Sequence, residues 1–576
     1  MKMKHALIGV AAILTFAAAN LKAQTVVFAE AGSSAIYEEL GQASANTAGC
    51  VWTGAKGTIF VEDTRVSGNP TENGTSWITW TIGNGTSCSS PGTTSTINVG
   101  LNIDSVIGNR CFFAKPRCTF GVTGTPTSGQ NALPGFTDTN LPTSIAAAVA
   151  GASVNTAATD IRPEDAKFAS LRMFTPCGTA INSGGNPTQY LGLGYQTGVA
   201  GVGTAVQQEA LPGGVAATHF NVFDFNLMGT DPINGSALPG TYAVTAVGAV
   251  PIVVFVNPQN EAGFGSLLVQ NIDRATLAGY LDGTYGRTAD LITQVPGASG
   301  GATVYMREPL SGTYNTMEYA IPNSLELQTS QDLGLAAVAA NGGTSGTVVP
   351  PAYCNGATWS SSQNPLVETY SSLGRSGVTS GGRIRAIGTG NQVKAVLNTS
   401  DSLGYSFWSA ANFANATASN AKYLTVDGID PIQQNWVDGL VPTSGNELLG
   451  NVTMAHVKDG SYPIFAIERI VSDPSGPGYN ATVALAASAV KFLSPTQPDF
   501  VHITQLAIVR SHFAPPGVTF PCASPGTAST PSNGGAGTGS TPECGGDVGG
   551  LVYSLQADSD YILDSGAAGG NTGRRQ

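Results

Sequence analysis

Short apolar runs separated by Gly, Ser, Thr and Asn turns dominate the chain, and several lead directly into stretches with helical spacing. Residues 25–29 (TVVFA) predict a first strand, and Ala35–Leu40 predicts a helix behind it with Ser34 as candidate N-cap. Residues 49–100 alternate and are rich in Thr and turns, which predicts β structure. Two further strand-to-helix transitions lie at 101–110 (LNIDSVIGNR) and 157–174 (AATDIRPEDAKFASLRMF). In the second, Pro163 suits the first helical position, with Glu164 and Asp165 in the electropositive first turn. Residues 246–257 (AVGAVPIVVFVN) predict a buried strand. Asp273 caps an expected helix that holds Leu277, Tyr280 and Leu281 and stops at Gly283. Residues 302–308 predict a strand, and 311–322 a helix with Tyr314, Met317 and Ile321 on one face. The same theme recurs at 388–398 (helix), 403–408 (strand), 462–471 (strand) and 481–493 (helix). Strands alternating with helices indicate an α/β architecture. Residues 178–215 read as a Gly-rich insertion, and 524–576 as a loop-rich tail.

The N-terminus adds a destination. Lys2 and Lys4 precede an apolar stretch at 6–19, and Ala23 offers a small residue before a cut at Gln24. This is the pattern of a cleaved secretory signal peptide, so residues 1–23 are expected to be removed on export to the periplasm or beyond. No Cys follows the cut, and no later run reaches 18 apolar residues, so neither a lipid anchor nor stable membrane insertion is expected. Charged residues make up 11% of the chain, against roughly 25% in typical soluble domains. The net charge of −12 argues against nucleic-acid partners and against anionic membrane surfaces. Any bound anion would therefore need a local, preorganised site. Eight cysteines in an oxidising compartment predict disulfides, with Cys111–Cys118 and Cys522–Cys544 as plausible local pairs. No CxxC or Cys/His metal spacing is present, and no cofactor is implied.

The most specific segment is VYMREPLSGTYNTMEY (304–319): strand, Arg, three residues, Ser-Gly-Thr, amphipathic helix. It resembles the Arg-x-x-x-Ser-Gly-Thr signature of the phosphate-binding subunits of bacterial phosphate ABC importers. AGSSAIY (31–37), NIDSVIGNR (102–110) and TDIRPEDA (159–166) are similar, in order, to that family's other ligand-binding loops. The resemblance implies a two-lobed type 2 periplasmic-binding-protein fold, here with β-rich insertions. Residues 24–245 would form the first part of lobe 1, 246–455 lobe 2, and 456–576 the return to lobe 1 with a C-terminal extension. It also implies ligand contacts from Ser33, Ser34, Ser105, Asp160, Arg307, Ser311, Gly312 and Thr313, and an importer as a membrane partner.

The residue chemistry agrees with that assignment. A tetrahedral oxyanion needs many donors converging on few oxygens, and helix N-termini supply unpaired N–H groups with a favourable dipole. The serines and Thr313 sit at expected loop-to-helix starts, where each adds a hydroxyl. Gly312 allows close backbone approach. Arg307 supplies a full charge and two parallel hydrogen bonds. Asp160 is the expected selectivity residue: its carboxylate accepts a proton that phosphate carries and fully ionised sulfate lacks. Asp104 is either a second acceptor or a helix cap.

Two other functions fit less of the chain. A structural or adhesive role for the same fold would draw on the low charge and the long Gly/Ser/Thr/Asn-rich insertions. A secreted hydrolase would need a nucleophile. Residues 297–301 (GASGG) fit G-x-S-x-G, but they precede a strand instead of a helix, so the required context is absent. The histidines beyond the signal read as surface or satisfied core residues, and the expectation is a binding protein, not an enzyme.

Overall fold

A computed structural model describes residues 24–53, 76–102, 104–113, 117–121, 132–135, 141–161, 241–292, 298, 300–307, 311–321, 366–369, 378, 380–386, 388–433, 439–443, 445–446, 448–489, 499–507 and 562–564. The expected signal peptide, the helix at Pro163, the Gly-rich insertion and Cys522–Cys544 lie outside these residues.

The fold is α/β, built on one large mixed sheet. Its main strands, in chain order, are β1 (Thr25–Gly32), β2 (Cys50–Thr53), β3 (Ser76–Trp80), β4 (Thr96–Asn102), β5 (Thr156–Thr159), β6 (Thr241–Val256), β7 (Thr303–Met306), β8 (Leu366–Thr369), β9 (Gly382–Arg385), β10 (Ser402–Phe407) and β11 (Phe465–Ser472), and three short strands pair with β6 beside them. Across the sheet they run β8-β9-β7-β10-β6-β11-β5-β1-β4-β3-β2. One half holds the parallel group β5-β1-β4, the other the parallel group β10-β7-β9. Between them lie β6 and β11, antiparallel to each other and to their outer neighbours.

The central strand β6 is longer than expected, 16 residues from Thr241 to Val256. Its first part pairs with β11, from Ala243↔Ser472 to Pro251↔Phe465, and its second part pairs with β10, from Ile252↔Phe407 to Val256↔Leu403. Pro251 is tolerated in mid-strand because it stands where β6 changes partners. The tail is not purely loop: Ile562–Asp564 returns to pair with Thr241–Ala243 of β6.

The helices that matter for the site are α1 (Tyr37–Ala48), α2 (Ser105–Phe113), α3 (Thr143–Val149), α4 (Arg274–Asp282), α5 (Gly312–Ala320), α6 (Thr389–Leu397) and α7 (Pro477–Ala489). The expected faces are observed: Tyr314, Met317 and Ile321 of the α5 segment are buried, as are Val393, Val396 and Leu397 of α6. Asp273 caps α4 by accepting from Thr276 N–H, and Gly283 closes it in the left-handed conformation. Two boundaries differ. The first helix starts at Tyr37, with Ile36 in the expected place of Ser34 at the cap and no side-chain cap; ahead of it Ser33 closes a tight turn by accepting from Ala35 N–H at 3.1 Å. The last begins at Pro477, its first helical residue, four positions before the expected 481, and is described as far as Ala489; residues 490–493 lie outside the described residues.

One apolar core spans both halves of the sheet, from Phe28 and Trp77 through β6 to Tyr405 and Trp408. A second lies under β1–β4, α2 and α3. Cys111–Cys118 is disulfide-bonded, as the spacing suggested. Cys50–Cys88 is a second bond that the spacing did not single out; it joins β2 to the loop before β4.

Candidate anion site

The carboxyl ends of parallel strands face one region, the place where open α/β sheets bind ligands. β1 ends into Ser33, β4 into Asp104 and Ser105, β5 into Asp160, and β7 into Arg307. Seven of the eight expected residues, all except Ser34, are buried or, for Gly312, packed directly on buried ones.

Asp160 is the hub. Its Oδ1 accepts from the Ser33 hydroxyl and from the Ser105 hydroxyl, the latter at 2.8 Å. The Ser105 oxygen in turn lies 3.3 Å from Asp160 N–H, which donates to it. A Cβ placed on Gly312 would collide with the Asp160 carboxyl and come within 2.5 Å of the Ser105 hydroxyl. Gly312 therefore presses α5, from the β10-β7-β9 half, onto residues of the β5-β1-β4 half. Gly108 does similar work inside that half: a Cβ there would lie 2.6 Å from Gly32 Cα, so α2 can start hard against the end of β1.

Arg307 is 1% exposed. Its guanidinium pairs with Asp104 at 3.5 Å and donates to the Thr389 hydroxyl at the start of α6. Its backbone N–H donates to the Tyr405 hydroxyl at 3.2 Å. Asp104 directly precedes α2, where its carbonyl accepts from Gly108 N–H at 2.8 Å, and its carboxylate is also the counter-ion of Arg307, a role the sequence did not suggest. Ser311 occupies the N-cap position of α5, yet its hydroxyl makes no capping hydrogen bond. Thr313 is buried in the first turn of the same helix. Ser34 is only half-buried and stands outside the hydrogen-bonded set around Asp160.

The electrostatics balance narrowly. Burial pushes the Asp160 carboxyl above the ordinary carboxylate range, while the hydroxyls of Ser33 and Ser105 and the charge of Arg307 pull it back. Four residues that matter here escaped the sequence reading. Thr389 sits at a Gly-rich helix start like the others, a signal that was available. Tyr405 gave no signal. Glu468 and Arg469 did: two adjacent charges inside the otherwise apolar run 462–471. Arg469 donates to the carbonyls of Ile467, at 2.8 Å, and Asp160, at 3.5 Å. Among the described residues, no group of three or more His, Cys, Asp or Glu could hold a metal ion. His502 is a satisfied core residue, its ring nitrogens against Thr504 Oγ1 and the Ala486 carbonyl.

The chain matches no family model and no curated protein. Among solved structures it is similar to an ABC-type phosphate transport receptor from Vibrio cholerae, at 13% identity over 46% of this chain and 73% of the other, with a TM-score of 0.26. It is similar to a high affinity periplasmic phosphate-binding protein solved with phosphate, at 10% identity over 82% and 90%, with a TM-score of 0.33. A phosphate-binding protein from Stenotrophomonas maltophilia gives 13% identity over 65% and 83%, with a TM-score of 0.25. Values of this size establish neither family nor ligand.

Proposed function

We propose that the protein is an exported solute-binding protein that captures a small oxyanion, phosphate foremost, and does no chemistry on it. One observation carries this reading: Ser33 from the turn before α1, the starts of α2 and α5, and the charge of Arg307 converge from both halves of the sheet on the single carboxylate of Asp160. Two helix N-termini, a further serine hydroxyl and a guanidinium are an arrangement for an anion. A carboxylate among them suits an anion that still carries a proton. Asp160 Oδ1 is already engaged by Ser33 and Ser105, whereas Oδ2 is turned towards Gly312. Oδ2 is the oxygen left to accept that proton.

In this reading the fold is the two-lobed type 2 periplasmic-binding-protein fold, and β6 and β11 are the two crossings between lobes. β6 would pass from one lobe to the other where it changes partners, at Pro251 and Ile252, and the chain would return through β11. The leader at 1–23 would deliver the protein to the periplasm, and an importer complex would be its membrane partner. No helix among the described residues is long and apolar enough to cross a membrane.

Calorimetric titration with phosphate tests the reading. Wild type binds, and Arg307→Ala weakens binding about ten- to a hundredfold, the range set by one charge-assisted hydrogen-bonding group. No heat from wild type overturns it.

A further inference from the structure

On β11, one residue from Arg469, which pairs with Thr159 at the end of β5, stands a buried acid with no assigned task. Glu468 on β11 is 0% exposed; neither carboxyl oxygen makes a hydrogen bond of normal geometry, though the Ser33 hydroxyl stands near enough to act on it. It lies beside the Ser33 hydroxyl and within electrostatic reach of Asp160, of Glu39 on α1 and of Arg469 on its own strand. Arg469 is the one cation among these neighbours, and it donates to the carbonyls of Ile467 and Asp160. Asp499 adds another negative charge next to Glu39.

The proton count around Ser33 is decisive. A serine hydroxyl has one proton and two lone pairs. The proton goes to Asp160 Oδ1, and one lone pair accepts Ala35 N–H. One lone pair remains, with Glu468 next to it. An ionised Glu468 has nothing to receive there, and could gain a hydrogen bond only by turning the Ser33 proton away from Asp160. A neutral Glu468 can donate its O–H into the free lone pair, which fixes the Ser33 proton on Asp160. An unpaired buried carboxylate is costly, so the neutral form is the one this environment holds.

We propose that Glu468 is a specificity-determining residue of the anion site that acts through Ser33: its acid proton goes to Ser33 Oγ, Ser33 gives its own to Asp160 Oδ1, and Asp160 Oδ2 is thereby kept as a bare acceptor for a protonated oxyanion. This rests on the anion-binding reading above and names what sets its preference. With the relay broken, Ser33 is free to rotate and Asp160 loses one of the two donors that keep it ionised. Asp160 then takes up a proton of its own more readily and turns from acceptor to donor. Fully ionised anions such as sulfate gain as protonated phosphate loses.

The test measures phosphate and sulfate affinities of the full chain for wild type, Glu468→Gln, Glu468→Leu, Ser33→Ala and the Ser33→Ala/Glu468→Leu double variant. Glutamine keeps a neutral donor for Ser33, so E468Q retains the phosphate-over-sulfate ratio. Leucine has no donor, and E468L lowers the ratio by about tenfold or more, the weight of one buried hydrogen bond. On the S33A background, E468L adds nothing further. Infrared spectroscopy of the anion-free protein supplies a readout independent of binding: wild type shows a protonated-acid C=O band that E468Q lacks. Should E468L fail to fold, loss of that band in E468Q and retention of the ratio by E468Q still decide the matter. A wild type that binds phosphate while E468L keeps the full ratio, or E468Q loses no acid band, overturns the role of Glu468 alone. A wild type that binds no phosphate overturns the anion site itself.

Discussion

Gly312 has no room for a side chain because the Asp160 carboxyl occupies the space where its Cβ would stand. The two residues are 152 positions apart in sequence and belong to opposite halves of the sheet. Their contact is where the halves meet over the site. Gly312→Ala is therefore expected to hold the halves apart without unfolding either one, since alanine favours helix over glycine at the start of α5. Overpacking of this kind costs roughly 1–3 kcal/mol, or about ten- to a hundredfold in phosphate affinity. Titration calorimetry with a parallel thermal melt checks it. An unchanged affinity would mean the contact does not form in the bound state.

Asp160→Asn replaces the acceptor oxygen with a group that can donate. The phosphate-over-sulfate ratio is expected to fall by at least about tenfold, with sulfate binding strengthened in absolute terms. Competition between the two anions at constant ionic strength measures this. If both affinities fall by the same factor, Asp160 is a structural residue only.

Four buried acids give the protein a pH dependence of defined sign. Burial raises Glu30, Glu39, Glu468 and Asp160 above the ordinary carboxylate range. Mutual repulsion adds to the effect, from Asp499 on Glu39 and from Asp160 and Glu39 on Glu468. The folded state then keeps protons that the unfolded chain has already released, so stability falls as pH rises through the folded-state values. In urea titrations without phosphate, the midpoint should decline as the pH is raised above the ordinary carboxylate range, and Glu468→Gln should flatten the decline. A midpoint that climbs over this range would contradict the assignment.

The two disulfides should differ in weight. Cys50–Cys88 spans 38 residues and Cys111–Cys118 spans 7. On chain entropy alone, their removal costs about 4 and about 2 kcal/mol. Paired serine variants unfolded in urea should rank in that order.

The sequence was most informative where local chemistry fixes the outcome. The Asp273 cap, the Gly283 stop and the apolar stripe of α5 follow from spacing, and spacing also brought Cys111 and Cys118 together. The candidate site was legible because Ser, Thr and Gly at strand-to-helix junctions carry a local signature, and Arg307 stands a fixed four residues before Ser311. What was not legible depends on residues distant in sequence. Asp104 reads as a cap or an acceptor until β4 and β7 bring it to Arg307. Glu468 reads as a stray charge in an apolar strand until β11 places it beside Ser33. Cys50 and Cys88 lie 38 residues apart and become neighbours only once β2, β3 and β4 form a sheet.

The long strand β6 has a mechanical consequence. It belongs to both halves without a break and exchanges its hydrogen-bonded partner at Pro251 and Ile252. A continuous ladder strongly resists stretch and shear, yet strands twist readily about their own axes. Admission of a guest would then be a torsional event, stored in a few residues of one ribbon, and rigidity engineered near Pro251 would slow entry and exit alike.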